Sequence, residues 1–172
     1  MSGHTENSVV IDSSLERVWA MTNDVASWPW LFSEYASAEI LNRSEDTVLF
    51  RLTTHPDEQD RTWAWVSERR LDPANHVVQA RRIEAGPFEY MNIRWEYQPV
   101  DGGVEMRWFQ DFHMKPTAPV DDTAMTERIN QNTPVQMARI KMIIESGRQP
   151  GAEHVPAPAV PAPAPTERGT ST

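Results

Sequence analysis

The stretch YMNIRWEYQPVDGGVEMRWFQDFHM, residues 90–114, decides the fold. On either side of Asp101-Gly102-Gly103, large apolar residues take every second position. Met91, Ile93, Trp95 and Tyr97 alternate with Asn92, Arg94 and Glu96. Met106, Trp108, Gln110, Phe112 and Met114 alternate with Glu105, Arg107, Asp111 and His113. A period of two places each set on one face of a strand, and Asp-Gly-Gly between them is a hairpin signal. The stretch reads as two long antiparallel strands, 90–98 and 104–114, with one aromatic, Met-rich face turned inward.

The same period runs upstream. In RTWAWVSERR, residues 61–70, Trp63, Trp65, Ser67 and Arg69 share one face, and Ala64, Val66, Glu68 and Arg70 the other. Val48, Phe50 and Leu52 alternate within a strand at 46–54, and further strands are predicted at 38–42 and 77–84. A short first strand ends at Val9–Ile11. Ser13 to Glu16 has the spacing of a capping box, opening a helix whose face is Leu15, Val18, Trp19 and Thr22 and which Asn23-Asp24 stops. Trp28-Pro29-Trp30-Leu31-Phe32 turns into a second short helix that ends before Tyr35. Asp121 and Asp122 open a last helix, with carboxylates at the positive end of its dipole. Pro134 within it predicts either a kinked helix or two helices meeting at Thr133. The order β-α-α-β-β-β-β-β-β-α is that of an α+β domain. A curved antiparallel sheet of about seven strands wraps a C-terminal helix and leaves an interior cavity between them.

Composition narrows the function. Lys and Arg number 16 against 25 Asp and Glu, a net charge of −9, which disfavours sequence-independent nucleic-acid binding. With no cysteine there is no disulfide, thiol nucleophile or Cys-built metal site. His55-Pro56-Asp57-Glu58 lacks the partner spacing of a metal site, and no Gly-rich phosphate loop, dinucleotide fingerprint or Gly-x-Ser-x-Gly elbow occurs. No cofactor and no metal are expected. Without a membrane-length apolar run or a secretion signal, the chain reads as soluble and cytoplasmic. The folded domain is expected over 1–146. Residues 147–172 carry six of the 14 prolines and no aromatic residue, and read as a disordered Pro/Ala-rich tail.

Arg69 is the informative residue of the inward face. A buried guanidinium needs acceptors, and no carboxylate alternates onto that face nearby. Ser67, Gln110 and Arg82 are the other polar candidates. A water-filled cavity or an oxygen-rich ligand would supply the acceptors. An Arg69 that reaches solvent at the strand end, or pairs with a distant carboxylate, is the structural alternative.

Four blocks carry a family resemblance: MTNDVASWPWLFSEYASAEIL, THPDEQDRTWAWVSERRLDP, GPFEYMNIRWEYQPVDGG and MRWFQDFHMKPTAPVDD. Together they resemble the monodomain aromatase/cyclases of bacterial type II polyketide pathways, of the spore-pigment and tetracenomycin type, over nearly all of residues 8–144. The resemblance implies the helix-grip fold shared with START domains and the birch-pollen-allergen group. It implies an enzyme that receives a poly-β-ketone on an acyl carrier protein from a minimal polyketide synthase. That enzyme closes the first ring by aldol condensation, by analogy at C9–C14, and dehydrates it to an aromatic ring. It carries over Arg69 and Tyr35 as the residues of the chemistry. The expected substrate-binding set is Trp28, Phe32, Trp63, Trp65, Ser67, Arg82, Met91, Trp95, Trp108 and Gln110. A non-catalytic carrier of a hydrophobic ligand, or a subunit that only steers a synthase, would use the same cavity. For carrier-protein docking, Arg128 and Arg139 on the last helix are expected to share a face, since eleven residues bring a continuous helix back to nearly the same side.

Overall fold

A computed structural model describes residues 2–149. Seven strands form one antiparallel sheet: β1 Gly3–Ile11, β2 Tyr35–Ser44, β3 Thr47–Thr54, β4 Ala64–Asp72, β5 Val77–Glu84, β6 Phe88–Val100 and β7 Gly103–Met114. Their order is β1-β7-β6-β5-β4-β3-β2, a meander whose far edge is closed by the first strand. Three α-helices, α1 Leu15–Thr22, α2 Trp28–Leu31 and α3 Asp122–Glu145, and a 3-10 turn at Val25–Ser27 complete the described body. The curved sheet grips α3, as the strand and helix order predicts. Among the described residues, no helix is long and apolar enough to cross a membrane.

The β6–β7 hairpin sets the register. Trp95 pairs with Trp108, Met91 with Phe112 and Val100 with Gly103, so like faces coincide along its length. Gly103 has φ +136°, and a Cβ there would lie 2.0 Å from the Ile11 carbonyl oxygen, where β1 crosses the turn. Only glycine fits that approach.

Local details depart from the sequence reading in four places. β1 ends at Ile11 as expected but is not short, running nine residues from Gly3: its polar residues hide the strand, although Thr5 is buried. β2 is twice the predicted length, and register shifts near Tyr35/Ser37 and Ile40/Asn42 break its alternation. β4 starts at Ala64, not Arg61, because the preceding loop curls round Asp57. That carboxylate accepts the backbone N–H of Gln59 and of Arg61 (both 2.9 Å) and the Trp63 indole N–H (3.2 Å). The capping box does not form. Ser14, not Ser13, caps α1 by accepting from the Arg17 backbone N–H, which leaves Glu16 at the second helical position.

α3 runs unbroken past Pro134. The ring removes one N–H donor, and the carbonyl it leaves, that of Asn130, belongs to an exposed residue. Met137, Ile140, Ile143 and Ile144 bury the C-terminal half of α3 among Val104, Met106 and Trp108. Met125 and Ile129 pack its N-terminal half against Phe88, Met91, Phe112 and Met114. Between these two clusters Arg128, Asn132 and Gln136 line an interior space, while Asn7 of β1 donates to Asn130 at 3.1 Å. The Pro/Ala-rich segment lies outside the described residues from 150 onward.

The joint between β7 and α3 is held by Asp122. Its carboxylate accepts the Met114 backbone N–H (2.7 Å) and bonds His113 Nδ1 (2.8 Å). These contacts, the backbone N–H first, hold its pKa below the usual carboxylate value. A carboxyl depressed in the folded state adds stability that is full above its unfolded pKa and is lost as pH falls through the folded one. Asp122→Ala is therefore expected to lower the melting temperature at neutral pH and to flatten the acid limb of its pH profile. An acid limb identical to wild type would refute this anchoring role.

Candidate functional site

The space between the sheet and the middle of α3 is a cavity of about 290 Å³. All twelve sequence-predicted site residues line it. β4 supplies Trp65, Ser67 and Arg69, with Trp63 just ahead of the strand; β6 supplies Met91 and Trp95, and β7 supplies Trp108 and Gln110. Arg82 comes from β5, Trp28 from α2, Phe32 from the connection into β2 and Tyr35 from the first position of β2. Strand alternation is what places the β4, β6 and β7 residues there.

Indole rings form the walls. Trp95 and Trp108, opposite one another in the hairpin, stack with centroids 4.2 Å apart and planes 10° apart. Trp28 lies nearly parallel to Trp95 at 5.9 Å and to Tyr35 at 6.1 Å. Phe32 lies over Trp108 at 5.9 Å. The Trp28 indole N–H donates to the Thr22 carbonyl (3.1 Å), which fixes its rotation. These flat apolar surfaces suit a flat ligand.

Arg69 rests on this stack. It is 1% exposed, and its guanidinium carbon lies 4.1 Å from the Trp95 ring centroid and 5.1 Å from that of Trp28. It neither reaches solvent nor meets a carboxylate. Its Nε and Nη2 both donate to the Asn23 side-chain oxygen, at 3.1 and 2.8 Å. Asn23 is held in turn: its amide nitrogen donates to the Trp19 carbonyl (2.9 Å) and to the Tyr97 hydroxyl (3.4 Å), which bonds Thr22 at 2.6 Å. Burial pulls the Arg69 pKa down to about 10, so it stays cationic at neutral pH. A buried cation satisfied only by neutral groups retains attraction for a partial negative charge.

Arg82 is a second such group. Its guanidinium is sandwiched between Trp65 (3.9 Å) and Phe88 (4.6 Å), and its buried Nε has no acceptor among the described residues. Burial brings its pKa to about 10 as well. Burial, then the nearby Glu34 charge, push the Tyr35 phenol well above its ordinary value, so it remains a proton donor.

The sequence reading missed Asn23, Glu34, Asn132 and Gln136. Asn23 reads only as a helix stop, because its partner lies 46 residues away. Glu34 sits in an aperiodic connection. Arg128, Asn132 and Gln136 were legible in their spacing of four, which puts three polar side chains along the cavity side of α3. The docking pair expected on α3 needs correcting. Arg139 is part-buried and donates to the carbonyls of Trp30 (2.9 Å) and Leu31 (3.2 Å), so it caps α2 instead of offering a free charge. Arg128 is exposed, lines the cavity and has no acidic partner among the described residues.

Residues 11–141 match the protein family described as polyketide cyclase/dehydrase and lipid transport. The chain belongs to this family. One relative of this chain, from Streptomyces cyaneus, bears the name "Putative polyketide cyclase". It is 59% identical over 145 residues, which cover 84% of this chain and 95% of the relative. The fold is that of the Zhui aromatase/cyclase from Streptomyces sp. R1128, with TM-score 0.71 and 19% identity over 86% of this chain and 93% of that one. A START superfamily protein from Mycobacterium smegmatis superposes with TM-score 0.68 and 16% identity, over 84% of this chain and 99% of that one. The helix-grip architecture is thus shared across this cyclase/dehydrase family and START proteins.

Proposed function

We propose that this chain is a polyketide aromatase/cyclase. It takes a poly-β-ketone carried on an acyl carrier protein, folds it in the cavity and closes the first ring, at C9–C14, by aldol condensation. It then dehydrates that ring to an aromatic one. The observation that carries this reading is Arg69: a cation without a carboxylate partner, laid on stacked indoles in the wall of a cavity. The polyketide cyclase name borne by a 59% identical relative supports the same substrate class.

Methylenes between two ketones are already acidic, so the difficulty is selecting one carbon pair among many. Holding that pair in contact is worth effective molarities of about 10⁵ M in favourable intramolecular cases. The Trp28, Trp95 and Trp108 rings shape the chain. Arg69 stabilises the enolate or alkoxide oxygen. Tyr35, kept protonated by burial, donates to the new oxygen.

The test is the product profile of a minimal polyketide synthase with and without this protein. A single ring regiochemistry that appears only with the protein is the expected result. An unchanged profile, with ligand binding retained, would instead mark a non-catalytic carrier.

A further inference from the structure

The cavity is lined by three guanidinium groups, of Arg69, Arg82 and Arg128, and by the Tyr35 phenol. All four are proton donors at neutral pH. Aromatising an aldol product also requires a group that accepts a proton. We propose that Glu34 is that group, the general base that removes a carbon-bound proton in the dehydration step; the proposal rests on the cyclase reading above.

Glu34 is the one carboxylate among the lining residues. It is built into place from two sides. Asn132, on α3, donates its side-chain N–H to Glu34 Oε2 at 2.8 Å. The Glu34 carbonyl accepts the His55 backbone N–H at 3.0 Å. The preceding residue is clamped as well: Gln136 accepts the Ser33 N–H (3.0 Å) and donates to its hydroxyl (2.8 Å). Two helix side chains one turn apart thus hold the connection between α2 and β2 against the cavity. The titratable neighbours of the carboxylate are Tyr35, from β2, and Arg82, from β5. α3 presents the neutral Asn132 there, and further along its cavity side Arg128. Burial raises the Glu34 pKa above the usual carboxylate value, which makes it a better base once ionised.

The step balances as follows. Glu34 takes the proton from the carbon between the carbinol and the ketone, and the C–H electron pair becomes an enolate whose oxygen faces the Arg69 cation. That pair then forms the ring C=C bond as the carbinol C–O bond breaks. The leaving oxygen takes its pair and a proton from Tyr35 and departs as water. Solvent returns the proton from Glu34 to Tyr35.

The experiment reconstitutes the minimal synthase with wild-type or Glu34→Gln protein. Glutamine keeps the length and can still accept from Asn132, but is not a base. The expected result is an unchanged ring position with aromatic product formed about 100-fold more slowly, replaced by a precursor heavier by one water. Aromatic product at the wild-type rate overturns the proposal and leaves the cyclase reading standing. A wild-type protein that directs no ring overturns that reading, and this proposal with it. The wild-type pH profile is the independent measurement. Aromatisation should lose rate as pH falls through a pKa above the usual carboxylate range. A rate that holds steady down into that range overturns the proposal even if the Gln variant fails to fold.

Discussion

Arg69→Ala is expected to abolish ring-directed product while the protein still folds. Removing one donor to a developing oxyanion costs about 10²–10³ in rate, and here no second cation lies on the Trp28–Trp95 stack. Stability should change little. The variant loses two hydrogen bonds to Asn23 and the packing on two indoles. It also sheds the desolvation cost of a buried cation, several kcal/mol. Arg69→Lys should not rescue, since an ammonium cannot present two N–H groups from one planar edge to the same oxygen. The measurements are the product ratio with a minimal synthase and the melting temperature. Directed product at wild-type yield would remove Arg69 from the chemistry.

Trp95→Ala should have the other large effect, on both stability and ring choice. The ring is 5% exposed, stacks on Trp108 and lies parallel to Trp28. Truncating a buried aromatic residue to alanine costs about 3–5 kcal/mol, a sizeable part of the ~5–15 kcal/mol that holds a domain together. A fall in melting temperature of roughly 10 °C follows for a chain of this size. The widened cavity and the loss of the surface beneath Arg69 should give a mixture of ring closures. Trp95→Phe keeps a flat ring and should give an intermediate result. A single unchanged product together with a shift of less than about 3 °C would show that the indole is not a shaping surface.

Much of this was legible in residues 61–114. Their alternation set the faces of β4, β6 and β7, and so which side chains meet the cavity. Alternation fails where the backbone breaks period. The bulges of β2 hid half that strand, and the Asp57-centred loop displaced the start of β4. The site was legible where a side chain's face follows from its strand. It was not where a role depends on a partner distant in sequence. Nothing near Asn23 announces that it accepts from Arg69, and nothing near Arg139 announces that it caps α2. Glu34 belongs to this second class, since only the fold brings it to Asn132, 98 residues on.

The sheet order also governs how the chain comes together. Strands β3 to β7 each pair with the strand made just before, so the meander can grow by local hairpins. β1 cannot. It is made first and pairs only with β7, Gly3 lying opposite Phe112. Joining them closes a loop of roughly 100 residues, and such closure entropy must be met before the contact yields any stabilisation. During synthesis the first strand waits, unpaired, until nearly the whole sheet has left the ribosome. Its polar run His4 to Ser8 keeps that waiting segment soluble. The same polarity that conceals β1 from a hydrophobic pattern protects the nascent chain until its last seam can close.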